Sequence, residues 1–441
     1  MKFLLTIAAM LCLVRGEDVR TAFQKAMAKY SAKNLAESPD TRKARFSSFV
    51  QFHTRVEEIN NDKTRPFTAE DNFFSILTPE ERQRYLGLNV TGLLKKSSEI
   101  TNVEVKTNRA NTDVPKQRDF GLVISDIKQQ GECGSCWTFA ATAALEGEIY
   151  FTTGTKKVSL SEQEYVECAT KRNGCMGGFS DDCYTYSKIK DRIAPTSDYP
   201  YTGKDSRKCK AARKANALKD NHVKVVGDLF TKGNAALLQQ ASEHIVAVAV
   251  YVNNDFEAYS EGIYTDEKCQ KEPNHEVAVV GYGVMNGKQY WKVRNSWGQE
   301  WGQKGYIFMD REEEDLCMIA SFAHIPQLEC RKGETCSAPN PDEGDSSEGK
   351  DDDEDKEDED DHEDEDEDEG DEKNGDVCYE TLSLSSCKTS REDALAVCQL
   401  SSLPVDKWII VKNKGCYRCS TDKKVKSKDM TVEYTYSCKE H

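Results

Sequence analysis

The sequence predicts an α+β unit of two lobes, helical in its first half and β-rich in its second, between a helical N-terminal segment and a small cysteine-rich end. Three observations predict it. Helical patterns at Cys136 to Phe151 and Ser161 to Cys168 precede strand patterns at His244 to Tyr251, Glu276 to Gly281 and Gln289 to Arg294. The composition is globular from about Asn111 to Leu328, long enough to enclose a sizeable core. Almost all the net acidity lies outside that stretch.

In chain order, Lys2 opens the sequence and Phe3 to Val14 is almost wholly apolar before Arg15-Gly16-Glu17. That run is too short to span a bilayer and reads as a secretory signal peptide over residues 1–16. No later apolar run is long enough to cross a membrane, so the mature protein is expected to be soluble. Cys12 would leave with the signal, and the other 16 of the 17 cysteines should mostly form disulfides in an oxidising compartment. Asn89-Val90-Thr91 is a glycosylation sequon, with Asn89 as acceptor.

Residues 17–110 are polar, cysteine-free and helical in pattern. The apolar spacing Phe49, Phe52, Val56 behind Arg45 makes one helix face. A strand-like segment is expected near Phe73-Phe74, then a helix start at Thr78-Pro79-Glu80-Glu81. Residues 111–328 form the two-lobed unit. Residues 329–376 are nearly all charge with Gly, Pro and Ser and read as a disordered acidic linker. Residues 377–441 carry six cysteines and strand-like runs at Trp408 to Val411 and Val432 to Tyr436, the pattern of a small disulfide-held domain.

The net charge is -17, but Asp342 to Asp376 holds 24 acidic residues and three lysines, or -21, leaving about +4 elsewhere (-17 minus -21). The folded parts are therefore near neutral, and neither nucleic acid nor a membrane is an expected partner. The linker reads as a solvated, self-repelling spacer, with weak Ca²⁺ or basic-partner capture as the alternative; it has no EF-hand spacing. Cys416-x-x-Cys419 lacks a second ligand pair, so no metal is expected there.

The chemistry-bearing stretch is Gln130-Gly-Glu-Cys-Gly-Ser-Cys136-Trp-Thr-Phe. Alone, Cys133-x-x-Cys136 would also fit a redox pair. With its flanks, with Asn274-His275-Glu276-Val277 following 139 residues after Cys136, and with Asn295-Ser296-Trp297-Gly298 beyond, the chain resembles the papain and cathepsin cysteine proteases. The resemblance implies a papain-like fold with a helical left lobe and a β-barrel-like right lobe, acting as an endopeptidase without cofactor or metal. Cys136 is the expected nucleophile and His275 its base, in a thiolate–imidazolium pair favoured by a helix N-terminus at Cys136. Asn295 would orient His275, Trp297 would shield their bond, and Gln130 with the Cys136 N–H would hold the oxyanion. A binding or targeting protein with a silent protease domain is the alternative.

By the same resemblance, disulfides should join Cys133 to Cys175, Cys168 to Cys209 and Cys269 to Cys317; Cys330 and Cys336 are close enough to pair locally. Cys183 is left over, either buried and inert or an intermolecular bridge. Only 33 residues separate Cys175 from Cys209, too few for the insertion that makes carboxy-dipeptidases. Gly177, Gly178 and Phe179 are expected to line the substrate cleft. Phe322 should close the pocket for the side chain two residues before the cut bond, favouring Leu, Val or Met. Glu276 stands where Gly or Ala is usual; it either lines that pocket and draws basic side chains or points to solvent.

The N-terminal segment resembles the inhibitory propeptide of cathepsin L-like enzymes through Arg45, Phe49, Val56, Asn60, Asn72 and Phe74. Thr41, Phe52 and Ile76 depart from its motifs, where Glu, Asn and Asp are expected. Such a segment crosses the cleft in the non-productive direction and is released by acid through its carboxylates; Ile76 removes one of these. Val114-Pro115 resembles a mature N-terminus. The resemblance also implies protein or peptide substrates, cystatin-type inhibitors, a monomer, and a lysosome-like or extracellular location. The tail resembles, in outline, the cysteine-rich extension of trypanosomatid proteases.

Overall fold

The computed structural model describes residues 19–30, 38–99, 114–170, 174–266, 268–269, 272–338, 409–413, 416–420 and 431–435. The expected signal peptide, the acidic run 342–376 and the pairing of the last six cysteines lie outside these residues. The chain divides into two compact units, one through Pro341 and one from Asp342.

The first unit opens with helices Val19–Tyr30 and Pro39–Asn61. The second is the long helix read from the sequence. Ser38 caps it by accepting the Thr41 N–H, and Pro39 occupies its first turn. Arg45, Phe49, Phe52, Val56 and Ile59 form its buried stripe. Strand β1 (Phe67–Ala69) follows, then a 3₁₀ turn at Phe73–Ile76. The strand expected at Phe73-Phe74 is therefore a tight turn, because the Asn72 side chain accepts the Phe74 N–H and closes the backbone locally. Thr78 and Glu81 form a reciprocal capping box on the next turn.

Further along the chain a largely buried helix, Cys136–Thr153, runs through the first lobe and stops at Gly154, whose φ of 78° ends it. Helices Glu162–Cys168 and Ser180–Lys190 pack beside it. The second lobe is built from β2 (Arg118–Asp119), β3 (Val223–Thr231), β4 (Val246–Val250), β5 (Tyr259–Tyr264), β6 (His275–Met285), β7 (Lys288–Arg294), β8 (Tyr306–Asp310) and β9 (Ala323–Cys330). With β1 they form one sheet in the order β1-β5-β8-β7-β6-β4-β9-β3, with β2 on β6. The sheet is open, not closed as the barrel-like lobe expected, because its ends β1 and β3 do not pair.

Strand β1 belongs to the N-terminal segment and pairs antiparallel with β5, so the segment covers an edge of the other lobe's sheet. Phe23, Phe49, Phe74 and Tyr85 share one apolar core with Val277, Trp297 and Trp301. A second core joins the Cys136–Thr153 helix to Tyr165, Tyr184 and Ala278. Strand β9 carries the ordered fold past the expected boundary at 328: Glu329 and Cys330 pair with Lys224 and Val223, and a disulfide joins Cys330 to Cys336. The expected linker thus begins with structured residues.

In the second unit, β10 (Ile409–Asn413), β11 (Cys416–Ser420) and β12 (Thr431–Thr435) form an antiparallel sheet in the order β11-β10-β12. The two strand-like runs expected there overlap β10 and β12, and β11 lies between them in sequence with Cys416 and Cys419. Among the described residues no helix is long and apolar enough to cross a membrane.

Candidate active site

Cys136 is the first residue of its helix, and the preceding Ser135 supplies no side-chain cap. The helix N-terminus therefore meets the sulfur with its own partial positive charge. Backbone N–H groups of Glu276, Gly87 and Trp137 also turn to the sulfur. Since Glu276 directly follows His275, the start of β6 is brought to the head of this helix.

The His275 Nε2–H donates to Asn295 Oδ1 at 2.9 Å, and His275 Nδ1 is buried without a hydrogen-bond partner. Asn295 directly follows β7, the neighbour of β6 in the sheet, so strand pairing sets this approach. Trp297 lies over His275, ring centroids 4.8 Å apart and planes 30° apart. Both groups are fully buried. Burial pushes the Cys136 thiol up to about 12, against the pull of the three N–H groups. Burial also lowers His275 to about 4, with the Asn295 bond opposing. Burial thus works against both charged forms, the thiolate and the imidazolium, while the site is covered.

Gln130 Nε2 donates to the Cys133 carbonyl at 2.9 Å and to the Tyr85 carbonyl at 3.0 Å. Its Oε1 accepts from Ser296 Oγ at 2.5 Å, and the Ser296 N–H donates to Asn295 Oδ1 at 2.8 Å. Ser296 thus fixes the Gln130 amide and touches the His275 orienter at once. Its role was not assigned from sequence, though it sits inside the Asn-Ser-Trp triplet. Tyr201 O–H, donating to the Gln130 carbonyl at 2.7 Å, had no sequence signal at all.

The N-terminal segment lies across these groups. Leu88 forms a parallel bridge with Gly178. The Gly178 N–H donates to the Gly87 carbonyl at 3.0 Å, and Asn89 N–H donates to the Gly178 carbonyl at 2.8 Å. No side chain fits between these backbones: a Cβ on Gly178 would lie 2.5 Å from the Trp137 ring, and one on Gly177 (φ 108°) 2.7 Å from the Gly87 carbonyl oxygen. Asn89, the sequon asparagine, is half-buried on this strip, and its Oδ1 accepts the Gly92 N–H.

Phe179 and Phe322 lie with Phe230 and Ala249 in an apolar cluster that encloses Leu93 and packs against Leu88 and Met318. Glu276 is buried beside it, its Oε2 accepting the Ser180 N–H at 3.2 Å. Disulfides join Cys133–Cys175, Cys168–Cys209 and Cys269–Cys317; Cys136 and Cys183 are free and buried.

Cations of the N-terminal segment tie it to both lobes. Arg55 makes a two-pronged contact with Asp255, Nε to Oδ1 at 2.7 Å and Nη2 to Oδ2 at 2.6 Å. Arg82 reaches Glu257 at 3.2 Å, and Arg84 reaches Glu132 at 2.8 Å. In place of the Asp missing from the segment, Ile76 is fully buried.

A free thiol at a helix N-terminus, a histidine oriented by an amide, and an amide donor aimed at a carbonyl oxygen can together perform acyl transfer. Residues 111–327 match the papain family cysteine proteases. The KDEL-tailed cysteine endopeptidase CEP2 of Arabidopsis thaliana is 37% identical over 71% of this chain and 86% of that protein. Vignain of Vigna mungo is 36% identical over 66% and 83%. Among solved structures, the proform of the ragweed pollen protease Amb a 11 is 31% identical, with a TM-score of 0.61 over 71% of this chain and 95% of its own. Procathepsin L2 from the Tenebrio molitor larval midgut is 28% identical, with a TM-score of 0.62 over 70% and 99%.

Fold and comparisons together define a hydrolase of the cysteine endopeptidase class, in its proform. The chain belongs to the papain family of cysteine proteases.

Proposed function

We propose that Cys136 attacks the scissile carbonyl of a protein or peptide substrate while residues 17–110 hold the site shut until they are removed. Attack forms the S–C bond and places a negative oxygen between Gln130 Nε2 and the Cys136 N–H. His275, oriented by Asn295 and kept dry by Trp297, gives its proton to the departing amine. Water, activated by the same imidazole, then hydrolyses the thioester and frees Cys136. Removing the prosegment returns solvent to the pair. The helix N-terminus and the Glu276 and Trp137 N–H groups, which stay when Gly87 leaves with the prosegment, then favour the thiolate, and imidazolium forms beside it.

The observation that carries this reading is the Tyr85 carbonyl on Gln130 Nε2: the prosegment places a peptide carbonyl on the donor proposed to hold the oxyanion. The parallel Leu88–Gly178 bridge supports passage in the non-productive direction. Leu88 and Leu93 against Phe179 and Phe322 support a preference for Leu, Val or Met two residues before the cut bond.

The protein acts as a monomer on the secretory route, in a lysosome-like compartment or outside the cell, and is open to cystatin-type inhibitors. An epoxide directed at the active site tests the core of this reading. Labelling of Cys136 should be slow in the zymogen and stoichiometric after prosegment removal. Absence of labelling in the processed protein would sink it.

A further inference from the structure

Glu276 follows His275 on β6, and its partner on β4 is Ala249. Directly opposed residues of an antiparallel pair project from the same face of the sheet. Ala249 lines the apolar cluster of Phe179, Phe230 and Phe322, so Glu276 faces the same side. That cluster encloses Leu93, which is fully buried, and packs on Leu88. The cleft pocket thus has aromatic walls, an apolar prosegment occupant and the Glu276 carboxyl group beside it.

Ser180 bonds the carboxyl through its backbone N–H and its side chain, and no cation is among the groups that act on it. The Ser180 backbone opens an 11-residue helix whose preceding residue, Phe179, gives no side-chain cap, and Glu276 supplies the acceptor there. The charged groups that act on it most are Asp182 and Asp181 of the same helix, both repelling. Cys183 and Tyr184 of that helix and Cys136 lie within its influence, and none of them brings a positive charge. The nearby His324 is already held by Asp228 and Ser180 Oγ. Burial, followed by the two aspartates, raises Glu276 to about 8. A buried carboxyl beside an apolar pocket and without a cation is a place where a cationic ligand gains most.

We infer that Glu276 is a specificity-determining residue: once the prosegment leaves, it lets the pocket take Lys or Arg two residues before the cut bond, besides Leu, Val and Met. The methylene stem of either cation would lie along Phe179 and Phe322, where the leucines now lie, and its head would reach the Glu276 carboxylate. A guanidinium between those rings also gains from their π faces. The same pocket without the carboxylate would reject both cations, since it would have to bury an unpaired charge.

This inference rests on the proposed endopeptidase reading, and its test separates the two. Mature enzyme prepared from the full chain is titrated with the epoxide, then assayed at pH 7 on paired peptides differing only in Arg or Leu at that position. In the wild type, kcat/KM for the Arg peptide should be at least about a tenth of that for the Leu peptide. Glu276→Gln keeps an acceptor for Ser180 but not the charge, and should lower the Arg/Leu ratio about 30-fold or more. Glu276→Asp should recover much of that loss. A purely structural role would lower both substrates together and leave the ratio alone.

A wild-type ratio below about a thousandth, or a ratio in Glu276→Gln within twofold of wild type, overturns the assignment while the enzyme reading stands. Should Glu276→Gln fail to fold, the wild-type ratio and Glu276→Asp still decide. A wild-type protein with no titratable site overturns both.

Discussion

The Tyr85 carbonyl accepts from Gln130 Nε2 at 3.0 Å, so a prosegment oxygen occupies the amide donor beside the nucleophile. Ser296 holds that amide from behind through Gln130 Oε1. Gln130→Ala should therefore lower kcat of the processed enzyme by about 10²–10³-fold with little change in KM, because the lost donor acts on the transition-state oxygen. Steady-state kinetics on titrated enzyme measures this; an equal loss in a KM-only effect would remove Gln130 from the oxyanion site.

Gly87 passes so close to Gly134 that a Cβ would lie 1.9 Å from the Gly134 carbonyl oxygen, a backbone atom that cannot swing aside. Gly87→Ala should lift the strip off the cleft. The intact zymogen should then label with the epoxide at least about 100-fold faster, as an overpacking cost near 3 kcal/mol implies. Time-resolved labelling followed by mass spectrometry reads the rate.

Arg55 and Asp255 tie the long prosegment helix to the other lobe, and the Asp255 side chain is only 9% exposed. Arg55→Ala leaves that carboxylate with the longer 3.4 Å contact to Arg65. Arg55 is itself partly exposed, so the expected loss is about 1–3 kcal/mol, or roughly 10–100-fold faster labelling of the zymogen. Asp255→Asn together with Arg55→Ala should cost less than the sum of the two changes, a coupling that a double-mutant cycle measures.

Acid acts on the zymogen with two opposite signs. Burial raises Glu257 to about 7 despite Arg82, so the folded state holds its proton more tightly than the unfolded one. Stability from this group is full below about 4.5 and is lost as pH rises through 7. Glu276, raised to about 8, acts in the same direction. His275, lowered to about 4, has the opposite effect: its share is present above 6.5 and is lost as pH falls through 4. Glu81 resists burial because Arg45 and the Thr78 N–H hold it low, and it too loses stability in acid. A Cys136→Ser zymogen, which cannot cleave itself, should melt highest in mildly acid buffer and lower at both pH 8 and pH 3.5. Glu257→Gln should flatten the fall between pH 5 and pH 8; a slope unchanged by that substitution would exclude Glu257 as a contributor.

Local patterns were legible wherever a side chain acts on its own neighbourhood. Ser38-Pro39 and the Thr78–Glu81 box start helices by hydrogen bonds within a few residues, so their spacing alone reports them. Phe73-Phe74 reads as a strand because aromatic content imitates one, while the Asn72 side chain, bonding the Phe74 N–H, closes the turn. Ser296 and Tyr201 are not legible in the sequence as supports of Gln130, because each acts across a large sequence separation, where no periodicity records contact.

By itself the sequence determined the helical and strand-rich halves, the family resemblance, and the segments flanking Cys136, His275 and Asn295, since these depend on residue type and spacing. Only the tertiary structure decided the rest. It left the sheet open rather than closed, and it extended β9 beyond residue 328. It placed Glu276 beside an apolar pocket instead of in solvent, through its register with Ala249. It also set the direction in which burial moves Cys136 and His275, since ionisation depends on water and packing against the prosegment decides how much water remains.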